Sequence, residues 1–488
     1  MIRLAGLNYI GIAGRNLRPI LPWCRRIMAV LLFVPQMSSA TDYYIDPVLG
    51  NDAGAGTVAQ PWKTVATVIE HLPEVVTDHV RVYLAPGVYT TTGGRVIPAS
   101  TLVLDRRMRR ASDFLIDVSV YFIGTGTNFH GLAEPGAVLL NWGSTPLVHV
   151  LGGTWHFENV QIGNRTYPTT QQAVEAYGTD SLVFLKDVRI HTGSQSGAGI
   201  VAGRGAEVRL AGAIELNEDL HETELANSFC GIVAMYQGAV RCVDSGGTLS
   251  LGNGSLSAGY YGTVELGCAT ARITSWNRQA NCLAVNNSGR IDLHGTGTTL
   301  VAKHVDNTLI GLEDDGHILA EGARIILQTG SLAPGKIVLQ KTSTLYGGPM
   351  VIQGPRGVLF AIMSGSVLVG SAVGAIESVG ADTGGYCYLT CSQAPAATNQ
   401  VRNGRIDLTI NPVLSATPGA ITFMSVDAEG RVSLAWTPNA LGYIVQYATN
   451  LVDGDWSAAE GVWPTLEPAW SSTAPATDRA RYYRVQGR

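Results

Sequence analysis

The sequence predicts an all-β protein: a solenoid of stacked parallel strands, capped at its N-terminal end and followed by a small antiparallel β-sandwich. Three observations carry this. Short apolar, polar, apolar segments recur through the middle of the chain, the composition is rich in turn-forming residues, and the chain from 419 onward changes to aromatic-rich alternating segments. With 58 Gly, 46% hydrophobic residues and only 15% charged residues in 488, the chain has the apolar content that a packed core needs and that a disordered chain lacks.

The recurrence is the strongest of the three. The segment Thr154 to Ile162 returns as Leu182 to Ile190, with Asn159 matched by Asp187. Asn and Asp take bends readily, so the pair predicts a turn ladder in which each side chain meets its counterpart in the next coil. A second register begins at Gly205 and returns at Gly238, Gly262, Gly289 and Gly316, a spacing that lies inside the window marking repeat architectures. After each glycine comes a period-two triplet. Val208, Val240, Val264 and Ile291 should face inward, and Arg209, Arg241, Glu265 and Asp292 should form one outward column in which Arg241 and Glu265 are neighbours. Gly231 to Ala234 before a glycine and Thr248 to Leu251 after it supply further strands, giving three per coil. The pattern weakens after Gly370.

Ahead of the repeats, residues 43 to 90 read as a strand, a Gly/Asp turn, a short amphipathic helix and a second strand closed by Pro86-Gly87. The helix is placed to cover the open end of a stack, where unpaired strand edges would recruit other chains. Tyr43-Tyr44-Ile45-Asp46-Pro47, Gly50-Asn51-Asp52, Pro61-Trp62-Lys63-Thr64 and Val80 to Tyr89 together resemble the N-terminal signature of secreted bacterial β-helix proteins of the pectin-lyase-like superfamily. The resemblance implies a right-handed parallel β-helix and export. It implies no single activity, because that superfamily holds lyases, hydrolases, epimerases and non-catalytic adhesins.

At the other end, four of the nine tryptophans fall between Trp436 and Trp470, among short alternating segments ending in Tyr482-Tyr483-Arg484-Val485. This ending resembles the small fibronectin-like modules of exported bacterial proteins and implies a spacer or binding role. The expected organisation is a signal peptide at 1–40, a capping region at 41–95, the β-helix at 96–400, a linker at 401–418 and the sandwich at 419–488.

Export is also expected from the stretch that ends at Ala40. It holds five arginines and no acid, then the apolar run Ile27 to Val34 and the small-residue exit Ser38-Ser39-Ala40. That run is too short to span a membrane and no later stretch is long enough, so the expected product is secreted, without a transmembrane segment, and monomeric. The formal charge is −5, and the chain without its five leading arginines is more acidic still, which argues against a nucleic-acid partner. The one basic cluster, Arg106, Arg107, Arg109 and Arg110, reads as a solvated loop. Of the seven cysteines, Cys387 and Cys391 are expected to pair, and Cys242 reads as a small buried hydrophobe because neighbouring repeats carry Leu there.

Chemistry, if any, should sit on a strand face and its bordering loops, where a flat ladder presents evenly spaced side chains to a polymer. Elimination would need a Lys or Arg base with Ca²⁺ against a carboxylate, and hydrolysis would need two carboxyl groups. The best cluster is Lys303, His304, Asp314 and Asp315 as catalytic candidates, with Asp306, Glu313, Asn286, Asn287 and Tyr236 as a polar rim for a polysaccharide or cell-surface glycan. Lys303 to Asp306 are expected on a loop before one strand and Glu313 to Asp315 at its far end. The plainer and preferred reading of Asp314-Asp315-Gly316-His317 is a turn chosen for its backbone conformations. Glu218, Asp219 and Glu222, in an acidic loop that lengthens one coil, form a candidate Ca²⁺ site, although a solvated surface helix fits them too. The motifs of polygalacturonase-like enzymes and of pectate lyases are not matched, so catalysis stays undecided beside a non-catalytic, adhesin-like role.

Overall fold

The computed structural model describes residues 40–90, 118–126, 136–140, 147–163, 172–192, 198–217, 231–242, 244–275, 281–294, 298–304, 308–320, 323–330 and 333–410, with short strands at 102–104 and 107–108 and further segments within 418–487. The expected leader, Arg106, Arg109, Arg110, Cys230, Asp306 and the acidic loop with Glu218, Asp219 and Glu222 lie outside the described residues.

From Thr41 to Ile410 the described strands pair in parallel, each with the strand one coil earlier and one coil later. A 12-stranded sheet forms one face, running from Leu102–Leu104 to Ala397–Val401. Apart from the short pair Val75–Val76 and Arg107–Met108, a 21-stranded sheet forms the rest, as two ladders that meet at a bend. Ser181–Ile190, Glu207–Leu216 and Thr344–Gln353 each serve both ladders, turning through left-handed Asp187, Gly212 and Gly347. In the middle of the stack each coil therefore contributes three strands, as in Gly231–Met235, Ala239–Cys242 and Thr248–Leu251, followed by Leu256–Gly259, Thr263–Leu266 and Thr270–Ser275.

The period-two expectation holds along the stack. Val208, Val240, Val264, Ile291, Ile318, Leu345 and Leu368 occupy one column of matched positions, all with 0% exposure. Each such side chain stabilises the fold by roughly 1.5 to 3 kcal/mol relative to remaining in water. The outward column also forms, with Arg241 Nε 3.4 Å from Glu265 Oε2 and 3.6 Å from Glu207 Oε1. Asp292 departs from it. It is only 4% exposed, because the Arg290 guanidinium folds over it at 2.6 Å.

Several local expectations are corrected. Val208 pairs with Val240, so Ala206 rather than Gly205 is the counterpart of Gly238. Asn159 and Asp187 both sit at φ 52°, but each side chain binds a neighbouring coil's backbone, not its counterpart. Asn159 Nδ2 donates to the Gly124 and Gly126 carbonyls at 2.9 Å, and Asp187 Oδ1 accepts from Ala213 N at 3.0 Å. Parallel stacking continues through Tyr386–Cys391 and Arg405–Ile410, well into the stretch expected to be linker. Cys387 and Cys391 are both free and buried. They lie at the second and last positions of one extended strand, about 13 Å apart, beyond the reach of a disulfide.

The N-terminal signature is a set of backbone clamps. Asp52 Oδ1 accepts from Lys63 N and Thr64 N at 2.8 and 2.9 Å, and the Thr64 hydroxyl accepts from Thr67 N to cap the helix Val65–His71. Asp46 Oδ1 accepts from Val48 N and Leu49 N, Trp62 Nε1 donates to the Gly54 carbonyl, and the Tyr89 hydroxyl is within hydrogen-bond reach of the Ile45 and Ala85 carbonyls. Val65, Val68 and Leu72 join the main core. Beyond Ile410 the described strands pair antiparallel, in one sheet that includes Tyr443–Ala448 and Tyr482–Gly487 and another with Ile421–Val426, Val432–Trp436 and Ala469–Ser471. No described helix is long and apolar enough to cross a membrane.

Candidate functional site

In the middle of the stack each coil leaves the 12-stranded sheet through a two-residue turn whose residues both have positive φ. The turns are Tyr236/Gln237, Tyr260/Tyr261, Asn287/Ser288, Asp314/Asp315 and Lys341/Thr342, with φ between 48° and 66°. The third residue closes the turn, as when Gly262 N donates to the Gly259 carbonyl and Gly289 N to the Asn286 carbonyl, both at 2.9 Å. Two successive positive φ values define a type I′ turn. Successive turns are joined by a hydrogen-bond ladder running Gln237 N to Tyr260 O, Tyr261 N to Asn287 O, Ser288 N to Asp314 O and Asp315 N to Lys341 O, at 2.9 to 3.1 Å. The glycine period has its cause here, since a Cβ on Gly262 would run into the Ala234 carbonyl of the coil before.

Asn and Asp adopt this backbone at little cost, so Asn287, Asp314 and Asp315 are what the turn itself requires. Tyrosine is not. A non-glycine residue held there costs about 1 to 3 kcal/mol, and a bulky one is unusual. Tyr236, Tyr260 and Tyr261 nevertheless occupy the turns, exposed by 48%, 47% and 67%. Tyr236 and Tyr260 stack at 4.8 Å between centroids.

Beside this edge the outer face of the sheet carries a column of short or branched side chains, Ser257, Ala284, Gly311 and Val338. Asn286, Glu313 and Gln340 rise along the turn side, and Asn281 and Thr308 along the other, enclosing a groove of about 260 Å³. Thr308 reaches the outer face because the register shifts at Leu309, which stays in the core with Ile310. Lys341 Nζ lies 2.8 Å from Glu313 Oε1 and 3.0 Å from Asp314 Oδ1. Those two carboxylates, Glu313 first, lift the Lys341 ammonium above its ordinary range. Ser288 donates to Asp315 Oδ2 at 3.2 Å, and His317 Nε2 lies 3.5 Å from Asp315 Oδ1.

Tyr236, Asn286, Asn287, Glu313, Asp314 and Asp315 thus share one edge of the stack. Lys303 and His304 do not join them. Both lie inside the strand Thr299–His304, not on a loop, and the whole strand Thr308–Leu312 intervenes before Glu313. At roughly 3.3 Å per residue, that strand sets the backbone of Lys303 and His304 about 13 Å or more from the turn edge. Sequence reasoning misses Lys341, Gln340, Thr308, Asn281, Tyr260 and Tyr261 as site residues. Carrying the even spacing of Tyr260, Asn287 and Asp314 one coil further reaches Lys341.

Glu265, Asp292 and His294 also bring ligand atoms within 4.8 Å of one another. Their two carboxylates already face Arg241 and Arg290, so a cation would have to displace two guanidinium partners. Comparison with protein-family models, with curated proteins and with solved structures finds no match.

Proposed function

We propose that this chain is an exported right-handed parallel β-helix that binds an extended polysaccharide along its tyrosine-bearing turn edge and the adjoining groove. The C-terminal antiparallel strands then form a small fibronectin-like sandwich acting as a spacer or second contact. The observation that carries the reading is the placement of three exposed tyrosines in left-handed backbone, where Asn, Asp or Gly would be easier. Local strain of this kind points to a side chain kept for what it touches. Exposed aromatic rings offer apolar faces to sugar rings, and the neighbouring amides, carboxylates and hydroxyls offer paired donors and acceptors to sugar hydroxyls.

Binding without turnover is the form the geometry supports best. Hydrolysis needs one carboxyl group to give a proton while another activates water or attacks. Here Glu313 and Asp314 share the Lys341 ammonium, and Lys303 stands at the opposite end of the neighbouring strand. Affinity electrophoresis of the purified protein through gels containing neutral or acidic polysaccharides tests this, alongside assays for reducing ends and for unsaturated products. Wild type should be retarded by at least one polymer without generating products, and the Tyr236→Ala/Tyr260→Ala/Tyr261→Ala variant should run freely. Equal retardation of both proteins would refute the assignment of the edge, and product formation would show an enzyme.

A further inference from the structure

We propose that Cys242 and Cys268 close a disulfide that ties two consecutive coils together when the chain folds under oxidising conditions. Cys242 ends the strand Ala239–Cys242 and stands opposite Leu266 of the next coil. Gly267 N donates to the Cys242 carbonyl at 3.3 Å, and Cys268 is the next residue of that coil. Like Cys387 and Cys391, both are free thiols in the core, with Cys242 6% and Cys268 0% exposed. Register partners on neighbouring coils are about 4.8 Å apart, and Cys268, two residues past the partner of Cys242, follows in a bend at that same junction between the two coils. Cys387 and Cys391, the pair expected from sequence, differ in lying along one strand rather than across two coils.

The thiols also interact. The Cys242 thiol hydrogen-bonds to Cys268, and that contact followed by burial keeps it protonated far above the usual range. A protonated, buried thiol reacts slowly, because the thiolate is the nucleophile. The bond therefore forms while the coils assemble and are still open to solvent. Its chemistry is an exchange with an external disulfide such as glutathione disulfide. Each thiol gives up one proton, the pair gives up two electrons, one S–S bond forms between the cysteines, and the donor's S–S bond is cleaved to two thiols.

The loop closed in this way is one complete coil, so the cross-link restricts the unfolded chain and raises the melting temperature. The full chain is refolded from denaturant in a glutathione redox buffer, alkylated while denatured, and mapped by peptide mass spectrometry without reduction. The expected result is a linked peptide pair containing Cys242 and Cys268, lighter by two hydrogens than the separate peptides, and a Tm a few degrees above that of the reduced protein. The Cys242→Ala/Cys268→Ala variant should show no such difference between oxidising and reducing buffers. Alkylation of both cysteines in the refolded wild type, or linkage of either one to Cys230 or Cys282, would overturn the proposal.

Discussion

Two outward ladders run along this stack, and their aromatic rings are used in opposite ways. On the 21-stranded sheet, Tyr121, His156 and Phe184 stand in one column, with centroids 4.1 and 4.2 Å apart, and the Arg209 guanidinium lies 5.1 Å over Phe184. His156 has a neighbour on each face of its ring, so the column is satisfied internally. On the turn edge of the 12-stranded sheet, Tyr260 stacks on Tyr236, while Tyr261 projects with 67% exposure from a backbone that disfavours it. The first ladder holds coils in register; the second presents surface. A ring's role in a solenoid therefore depends on which of its faces are covered, not on whether it points outward.

The contrast breaks if the internal ladder proves dispensable. Phe184→Ala should lower the unfolding free energy by about 3 kcal/mol in a chemical denaturation titration and leave polysaccharide retardation unchanged. The next effect appears with pH. His156 is pushed down from 6.5 to about 4, by burial first and then by the positive charges of His79 and Arg209. Between those two values the unfolded chain takes up a proton that the folded chain refuses. The stability present above pH 6.5 should therefore be lost progressively down to about pH 4. The difference between wild type and His156→Gln, followed by urea midpoints across this window, should change by at most about 3 kcal/mol.

The turn edge should behave in the opposite sense. Tyr261→Asn relieves left-handed strain and should raise stability by about 1 kcal/mol in the same titration while weakening glycan retardation, an inverse relation that no residue of the internal ladder should show. The smallest effect is expected at the charged part of the outward column. Arg241→Ala removes half-exposed ion pairs with Glu207 and Glu265 and should cost about 0 to 1 kcal/mol, falling further when salt is added to the denaturation series.

The stack is legible in the sequence because a steric rule writes it there. The residue after each left-handed pair approaches a carbonyl of the preceding coil so closely that glycine recurs at 238, 262, 289 and 316. The signal fades where Ser343 and Ser366 take that position, fully buried, and where the left-handed pairs draw closer, from Lys341 to Ser364, Thr383 and Arg402. The later coils therefore read as irregular although their strands still pair. The N-terminal signature is legible for a different reason, since its Asp, Thr and Trp side chains clamp backbone close by in sequence. The site is legible only along the turn. Period alone aligns Tyr236, Asn287 and Asp314, whereas Thr308, Asn281 and Gln340 enter the groove through sheet register and a one-residue shift that spacing does not show. Proximity in sequence groups Lys303 with Asp314, and the length of the strand between them pulls the two apart.

Contact between the turn edge and a glycan is tested most directly by hydrogen exchange of the full chain with and without a retarding polysaccharide. Added protection should concentrate in peptides covering Tyr236 to Gly238, Tyr260 to Gly262, Asn287 to Gly289 and Asp314 to Gly316, with the Tyr121, His156 and Phe184 ladder unchanged. Protection confined to that internal ladder or to the C-terminal strands, with the turns exchanging as in the free protein, would contradict it.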